Sequence, residues 1–316
     1  MKTFLPFLCL LFSIATFAQQ TQKFYDYNWK ECDASMARFV AIINKTDSGW
    51  HRSDYFLHSK KIQMVGTYID ETFKKETGKF YYYYANGVLE KVGNYVNGKK
   101  DGLWLEFHTN GMMSDSTVYK EGKIVGTTIG WHVNGYIKDS SVYKEDGSAV
   151  HVVWFDNGQV SSAGRLNADK KMIGKWQFFH KNGKMSALET YDNGKLVDKQ
   201  NFNESGEMVV DTATVYKDAS FKGGINAWQK YLTKGLYFPE RYKIVNSDKA
   251  VVVVRFAIDE EGNVTDVFAV TPFHPDFDKI AVQQIIKSPK WQPAVSHNRK
   301  VKYYLRQPVI FSQEYE

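Results

Sequence analysis

Cysteine is nearly absent from this chain of 316 residues: only Cys9 and Cys32 occur. A disulfide-stapled scaffold is therefore excluded. Proline is sparse as well, seven residues without a cluster, so the chain has no stiff polyproline spacer. Charge of a single sign is also lacking. The 41 Lys and Arg are interspersed with 35 Asp and Glu, leaving a net +6 without any block of like charge, the pattern of a solvated surface and not of a nucleic-acid-binding one. No Gly-x-Ser-x-Gly, Walker loop, dinucleotide fingerprint or Cys-x-x-Cys occurs and no nucleophile–base pair can be read, so no enzyme activity, cofactor or small-molecule substrate is expected.

The N-terminus carries Met1-Lys2-Thr3, an apolar run from Phe4 to Phe17, and Thr16-Phe17-Ala18 with small residues where a signal peptidase reads. This predicts a signal peptide over residues 1–18 and a mature chain from Gln19. An uncleaved anchor needs ~20 apolar residues, whereas this run is shorter and contains Pro6. Cleavage leaves Cys32 alone, either as an inert buried thiol or as the donor of an intermolecular bridge. Residues 19–48 read as an N-terminal β segment.

Length leaves room for two or three domains, and the aromatic content of 16%, with 20 Tyr and 21 Phe, favours strands. A repeat occupies residues 49–210. Turn glycines fall at Gly87, Gly111, Gly135, Gly158, Gly183 and Gly206, and five of them follow Asn86, Asn110, Asn134, Asn157 and Asn182. Asn-Gly between aromatic stretches is a strong hairpin signal, because both residues of a two-residue turn must tolerate positive φ. Strands such as Phe80-Tyr81-Tyr82-Tyr83-Tyr84 and Trp176-Gln177-Phe178-Phe179-His180 precede the turns, and return strands such as Val92-Gly93-Asn94-Tyr95 follow. A second turn closes the unit at Asn97-Gly98, Glu121-Gly122, Asp146-Gly147 and Asn193-Gly194. The expected product is one continuous antiparallel sheet. His108, His132 and His180 stand two residues before a repeat asparagine, where other units have Tyr84 and Phe155. Equivalent positions two strands apart are ~10 Å apart, too far for two imidazoles to share a zinc at ~2.1 Å, so no metal site is expected. The period and the Gly-x-Trp starts at Gly102 and Gly174 resemble MORN-type repeats, in particular the variant named after the YwqK antitoxin, a resemblance that implies a scaffold or contact surface.

Residues 214–316 read as an α+β module. Gly223-Gly224 precede a helix around Ile225 to Leu236, which Tyr237-Phe238-Pro239 ends. Ala250 to Ile258 alternates with period two, the Asp259-Glu260-Glu261-Gly262-Asn263 turn follows, and Val264 to Thr271 is a second strand. A second helix places Phe277, Ile280, Ala281, Ile285 and Ile286 on one face and ends at Ser288-Pro289. After Pro289-Lys290-Trp291-Gln292-Pro293 the last strand runs from Val301 to Phe311, with Val301, Tyr303, Leu305, Val309 and Phe311 facing inward. Pro308 cannot donate to a ladder, which places this strand at an edge.

Those five motifs, in that order, resemble the TonB C-terminal domain family over the last third of the chain. Ser247-Asp248-Lys249 stands where a glycine usually precedes the first strand, and Ala294 and Asn298 replace glycines after the tryptophan. The fold class is thus mainly β: a hairpin-repeat sheet followed by a TonB-like module of two helices and three strands. The resemblance implies a periplasmic protein of transmembrane transport whose partner, a segment of an outer-membrane transporter, adds as a strand to the last strand. The candidate binding residues are Val301, Lys302, Tyr303, Tyr304, Leu305, Arg306 and Gln307. A full energy transducer also has an uncleaved anchor and a proline-rich spacer, so direct force transmission is not expected of this sequence. The alternative is a structural cell-envelope protein that uses the repeats as contact surface and the last domain for homodimerisation.

Overall fold

The computed structural model describes residues 20–210, 216–244 and 249–313. The expected signal peptide lies outside them, as do Ser247 and Asp248. Among the described residues no helix is long and apolar enough to cross a membrane. From Gln20 onward the chain forms one antiparallel sheet of sixteen strands in strict chain order, β1 (Gln20–Tyr25) to β16 (Met208–Val209). β1 pairs with β2 (Phe39–Thr46), and β2 pairs with β3 (Gly49–Phe56), so the strands before residue 49 and those after it share one sheet.

Two kinds of turn connect the repeat strands. At Gly87, the glycine N–H donates to the Tyr84 carbonyl at 2.8 Å, and the glycine alone has positive φ, 90°. The strand register shifts between Tyr82 and Tyr83 just before it. This is a type I turn closed by a left-handed glycine with a bulge. The expectation that Asn86 shares the positive φ is thereby corrected. Asn86 instead accepts the Val88 N–H at 3.0 Å and reaches across to donate to the Thr109 carbonyl of the next unit at 2.9 Å. Asn134 and Asn182 donate to the Asp156 and Glu204 carbonyls in the same way. Two-residue turns with both φ positive stand at three of the closing positions, Asn97-Gly98 at 51° and 77°, Glu121-Gly122 at 51° and 83°, and Asn193-Gly194 at 48° and 85°. Asp146-Gly147, expected to match them, repeats the Gly87 turn instead: the glycine alone has positive φ, 82°, and its N–H donates to the Lys144 carbonyl at 3.0 Å.

The repeat glycines of the return strands explain how the sheet packs. In β6 (Leu89–Val96), a Cβ on Gly93 would lie 2.1 Å from the ring of Trp104 in β7 (Lys99–Phe107). Gly66 meets Phe80 and Gly164 meets Trp176 in the same manner. The aromatic ring lies flat over bare backbone, and the Trp104 and Trp176 indole N–H groups donate to the Asn94 and Arg165 carbonyls. Gly93 has no side chain because the neighbouring ring occupies that space.

The C-terminal module has α1 (Gly224–Gly235), then a three-stranded sheet in which β17 (Lys249–Ile258) lies between β18 (Val264–Thr271) and a last strand, with α2 (Pro275–Ile286) packed on one side. Ala250, Val252, Val254, Phe256 and Ile258 are buried against Trp228 and Leu232 of α1 and Phe277, Ala281 and Ile285 of α2. These helix positions recur every four residues and so share one face. Ile286 falls off that stripe and is exposed, contrary to its expected place. The final strand is also shorter than expected. β19 (Ala294–Ser296) and β20 (Arg299–Val301) form a separate hairpin through His297-Asn298, both at positive φ, and β21 runs from Tyr303 to Ser312.

Candidate partner-binding edge

β21 pairs with β17 along its whole length, from Tyr303 opposite Ile258 to Ser312 opposite Lys249. No strand pairs with its other side among the described residues. A ten-residue edge with a free row of backbone donors and acceptors is a template for another strand. Its alternation is legible in the burial: Val309 and Phe311 are buried and Leu305 packs on the core, whereas Tyr304, Arg306, Pro308 and Ile310 are exposed. Gln307 is fixed from behind. Its Oε1 accepts the Trp228 indole N–H at 2.8 Å, and its Nε2 donates to the Pro308 carbonyl.

Of the seven candidate residues, Tyr303 to Gln307 lie on this edge strand. Val301 does not, because it pairs with Ala294 across the β19–β20 hairpin. Lys302 sits at the break and is held by Asp266 at 2.7 Å. Burial draws its ammonium down, but the Asp266 hydrogen bond together with the charges of Tyr304, Asp266 and Asp156 outweighs this and raises it. The surroundings of the strand differ at its two ends. Near Tyr303, residues 216–220 return beside the chain, with Lys217 bridged to Val295 and Ser220 to Gln292. Near Ile310 and Ser312, a groove of about 1020 Å³ opens between the strand and Leu236, Tyr237, Phe238 and Tyr242. Both ends of the strand thus have neighbours, and the groove lies at the C-terminal one, which the sequence did not single out.

The module is seated on the repeat sheet by the β19–β20 hairpin. The His297 ring stacks on Phe178 at 3.7 Å, its Nδ1 lies 2.8 Å from the buried Glu189 carboxylate, and Asn298 donates to the Phe202 carbonyl at 2.9 Å. Burial pushes the Glu189 carboxyl up, yet hydrogen bonds from His297 and Tyr191 outweigh it and hold it below the usual range. Arg299 donates to the Ser161 carbonyl and hydroxyl at 2.8 and 2.9 Å and lies over the Phe155 and Phe178 rings. Burial lowers its guanidinium to about 10. Sequence reading missed this hairpin. The usable signal was Ala294-Val295-Ser296 and Arg299-Lys300-Val301 flanking a two-residue His297-Asn298 turn, with Asn298 in place of an expected glycine.

The repeat histidines are structural rungs. Nε2 of His108, His132 and His180 lies 2.9 Å from the carbonyl of Trp131, Trp154 and Phe202 in the next unit. Tyr84 makes the same link to Phe107 through its hydroxyl at 2.8 Å. Among the described residues no group of three His, Cys, Asp or Glu is placed to hold a metal ion. Cys32 is half-buried, and burial followed by Asp26 and Asp33 raises its thiol pKa.

Residues 235–312 match the family model of the Gram-negative bacterial TonB protein C-terminal. Residues 76–97 and 172–193 match the MORN repeat variant, the first stretch contributing Phe80 and Gly93 and the second Trp176 to the aromatic-over-glycine contacts. No curated protein matches the chain. The chain thus carries a TonB-family C-terminal domain behind MORN-type repeats, two families that are not enzymatic.

Proposed function

With a TonB-type C-terminal domain as the premise, we propose that this is a periplasmic, envelope-associated protein of transmembrane transport that contacts outer-membrane transporters. A transporter segment adds as a strand to the free edge of β21. The observation that carries this reading is the unpaired ten-residue edge within the matched domain. In strand addition the backbone supplies affinity and alternate side chains supply choice. On this edge the exposed Tyr304, Arg306 and Ile310 are the side chains that flank an added strand, and the groove beside Ile310 receives its bulkier residues.

The test is site-specific photo-crosslinking in cells. A photoreactive residue at Arg306 or Ile310 is expected to capture an outer-membrane transporter, while one at exposed Val197 on the repeat sheet is not. Absence of transporter adducts at both edge positions would remove the strand-addition reading.

A further inference from the structure

Away from the β21 edge, the Asn-Gly rim of the repeat sheet meets the loop between β18 and α2. A cleft of about 580 Å³ opens there, walled by Phe56, Leu57, Tyr84, Phe268, Pro272 and Phe273. Apolar clefts of this size between packed units, with a few convergent polar groups, are the usual form of a small-ligand site. Arg38 stands in it with no ion pair among the described residues, although the Asp26 and Asp278 carboxylates are near enough to act on its charge. Its guanidinium lies 4.1 Å over the Phe273 ring, and its Nη1 donates only to neighbouring carbonyls, Ala37 at 3.1 Å and Met36 at 3.5 Å. Its Nε is buried with no hydrogen-bond partner among those residues. A second cleft, of about 550 Å³, meets the first at Arg38, His58 and Phe273.

None of the other polar groups of the cleft pairs directly with this guanidinium. Asp278 uses a carboxylate oxygen to accept the Phe273 N–H at 2.7 Å and forms no ion pair with Arg38. Lys61 is occupied by the Asn86 carbonyl at 2.8 Å. His58 stacks edge-on against Phe273, and burial, then Arg38 and His274, keep its imidazole below its ordinary pKa. Burial also draws Arg38 down to about 10. A desolvated cation with a free N–H is costly unless an anion reaches it.

From this geometry we infer that the cleft binds a small amphipathic carboxylate, its acid group against the cleft-facing side of the Arg38 guanidinium and its apolar body against Phe56, Phe268 and Phe273. No β21 residue lines this cleft, although the second one extends to Ile310, and the inference stands whether or not that edge takes a partner.

Calorimetric titration of the full mature chain with decanoate and with decanol tests the inference. Decanoate is expected to bind at least tenfold more tightly than decanol, and Arg38→Gln to abolish that difference while Arg38→Lys retains part of it. An apolar tripeptide, tested as free acid and as amide, identifies the source of the carboxylate. A free acid that binds tighter than decanoate points to a protein C-terminus, and weaker binding points to a free acid ligand. Equal binding of decanoate and decanol by the unmodified chain overturns the inference without recourse to any variant. So does an unchanged preference in folded Arg38→Gln, or no decanoate binding below millimolar concentration.

Discussion

Gly93→Ala is a sharp probe of how the repeat sheet holds together. The added Cβ would lie 2.1 Å from the Trp104 ring, whereas the Cβ of Gly111→Ala would approach nothing closer than Val88 at 3.9 Å. Trp104 is 1% exposed and tethered by its indole N–H to the Asn94 carbonyl at 3.1 Å. The ring must therefore move by more than an ångström within a packed layer. Overpacking of this kind costs about 1–3 kcal/mol, and the depth of the clash places Gly93→Ala near the upper end. Gly111→Ala meets only the strain of a left-handed backbone at φ 84°, about 1 kcal/mol. The decisive measurement is a double-mutant cycle by urea denaturation. In a Trp104→Leu background, the shorter side chain frees the space and the Gly93→Ala penalty should fall below about 1 kcal/mol, a coupling of roughly 2 kcal/mol. The array carries its own precedent: seven residues after Asn110 stands buried Thr117, and the residue two after Gly126 is buried Thr128 in place of a tryptophan. A penalty for Gly93→Ala that is no larger than for Gly111→Ala, or one unchanged in the Trp104→Leu background, would refute the argument.

Two further outcomes follow from the inter-unit contacts. His132→Tyr should be nearly neutral in thermal melting, since Tyr84 makes the same link to the next unit, whereas His132→Phe leaves the Trp154 carbonyl without this donor and should cost about 1 kcal/mol. Arg299→Ala removes two hydrogen bonds to Ser161 and two ring contacts, which at about 1.5–3 kcal/mol for a charged hydrogen bond should loosen the seat of the C-terminal module. Hydrogen exchange is then expected to speed up at Ser161 and Phe178 and along β19 and β20, and unchanged protection there would contradict the docking contacts.

The sequence alone determined the repeat and the module, because their signals are local. Asn-Gly spacing marks the hairpins, and period two in Ala250 to Ile258 followed by the four-residue recurrence of Phe277, Ala281 and Ile285 marks strand and helix. Pro308 marks the last strand as an edge, for it lacks a backbone donor. Tertiary structure decided the rest. Whether Asn86 shares the positive φ is decided by how the two flanking strands pair, since their register shifts between Tyr82 and Tyr83 and leaves the positive φ to Gly87 alone. The strand that reads as continuous from Val301 to Phe311 is split because Val301 finds Ala294 as its partner and Lys302 finds Asp266. The seat of His297 and Arg299, and the placing of Arg38 in an apolar cleft beneath Phe273, arise between residues more than one hundred positions apart. No periodicity encodes such contacts, since they depend on which faces the folded sheet and module present to each other.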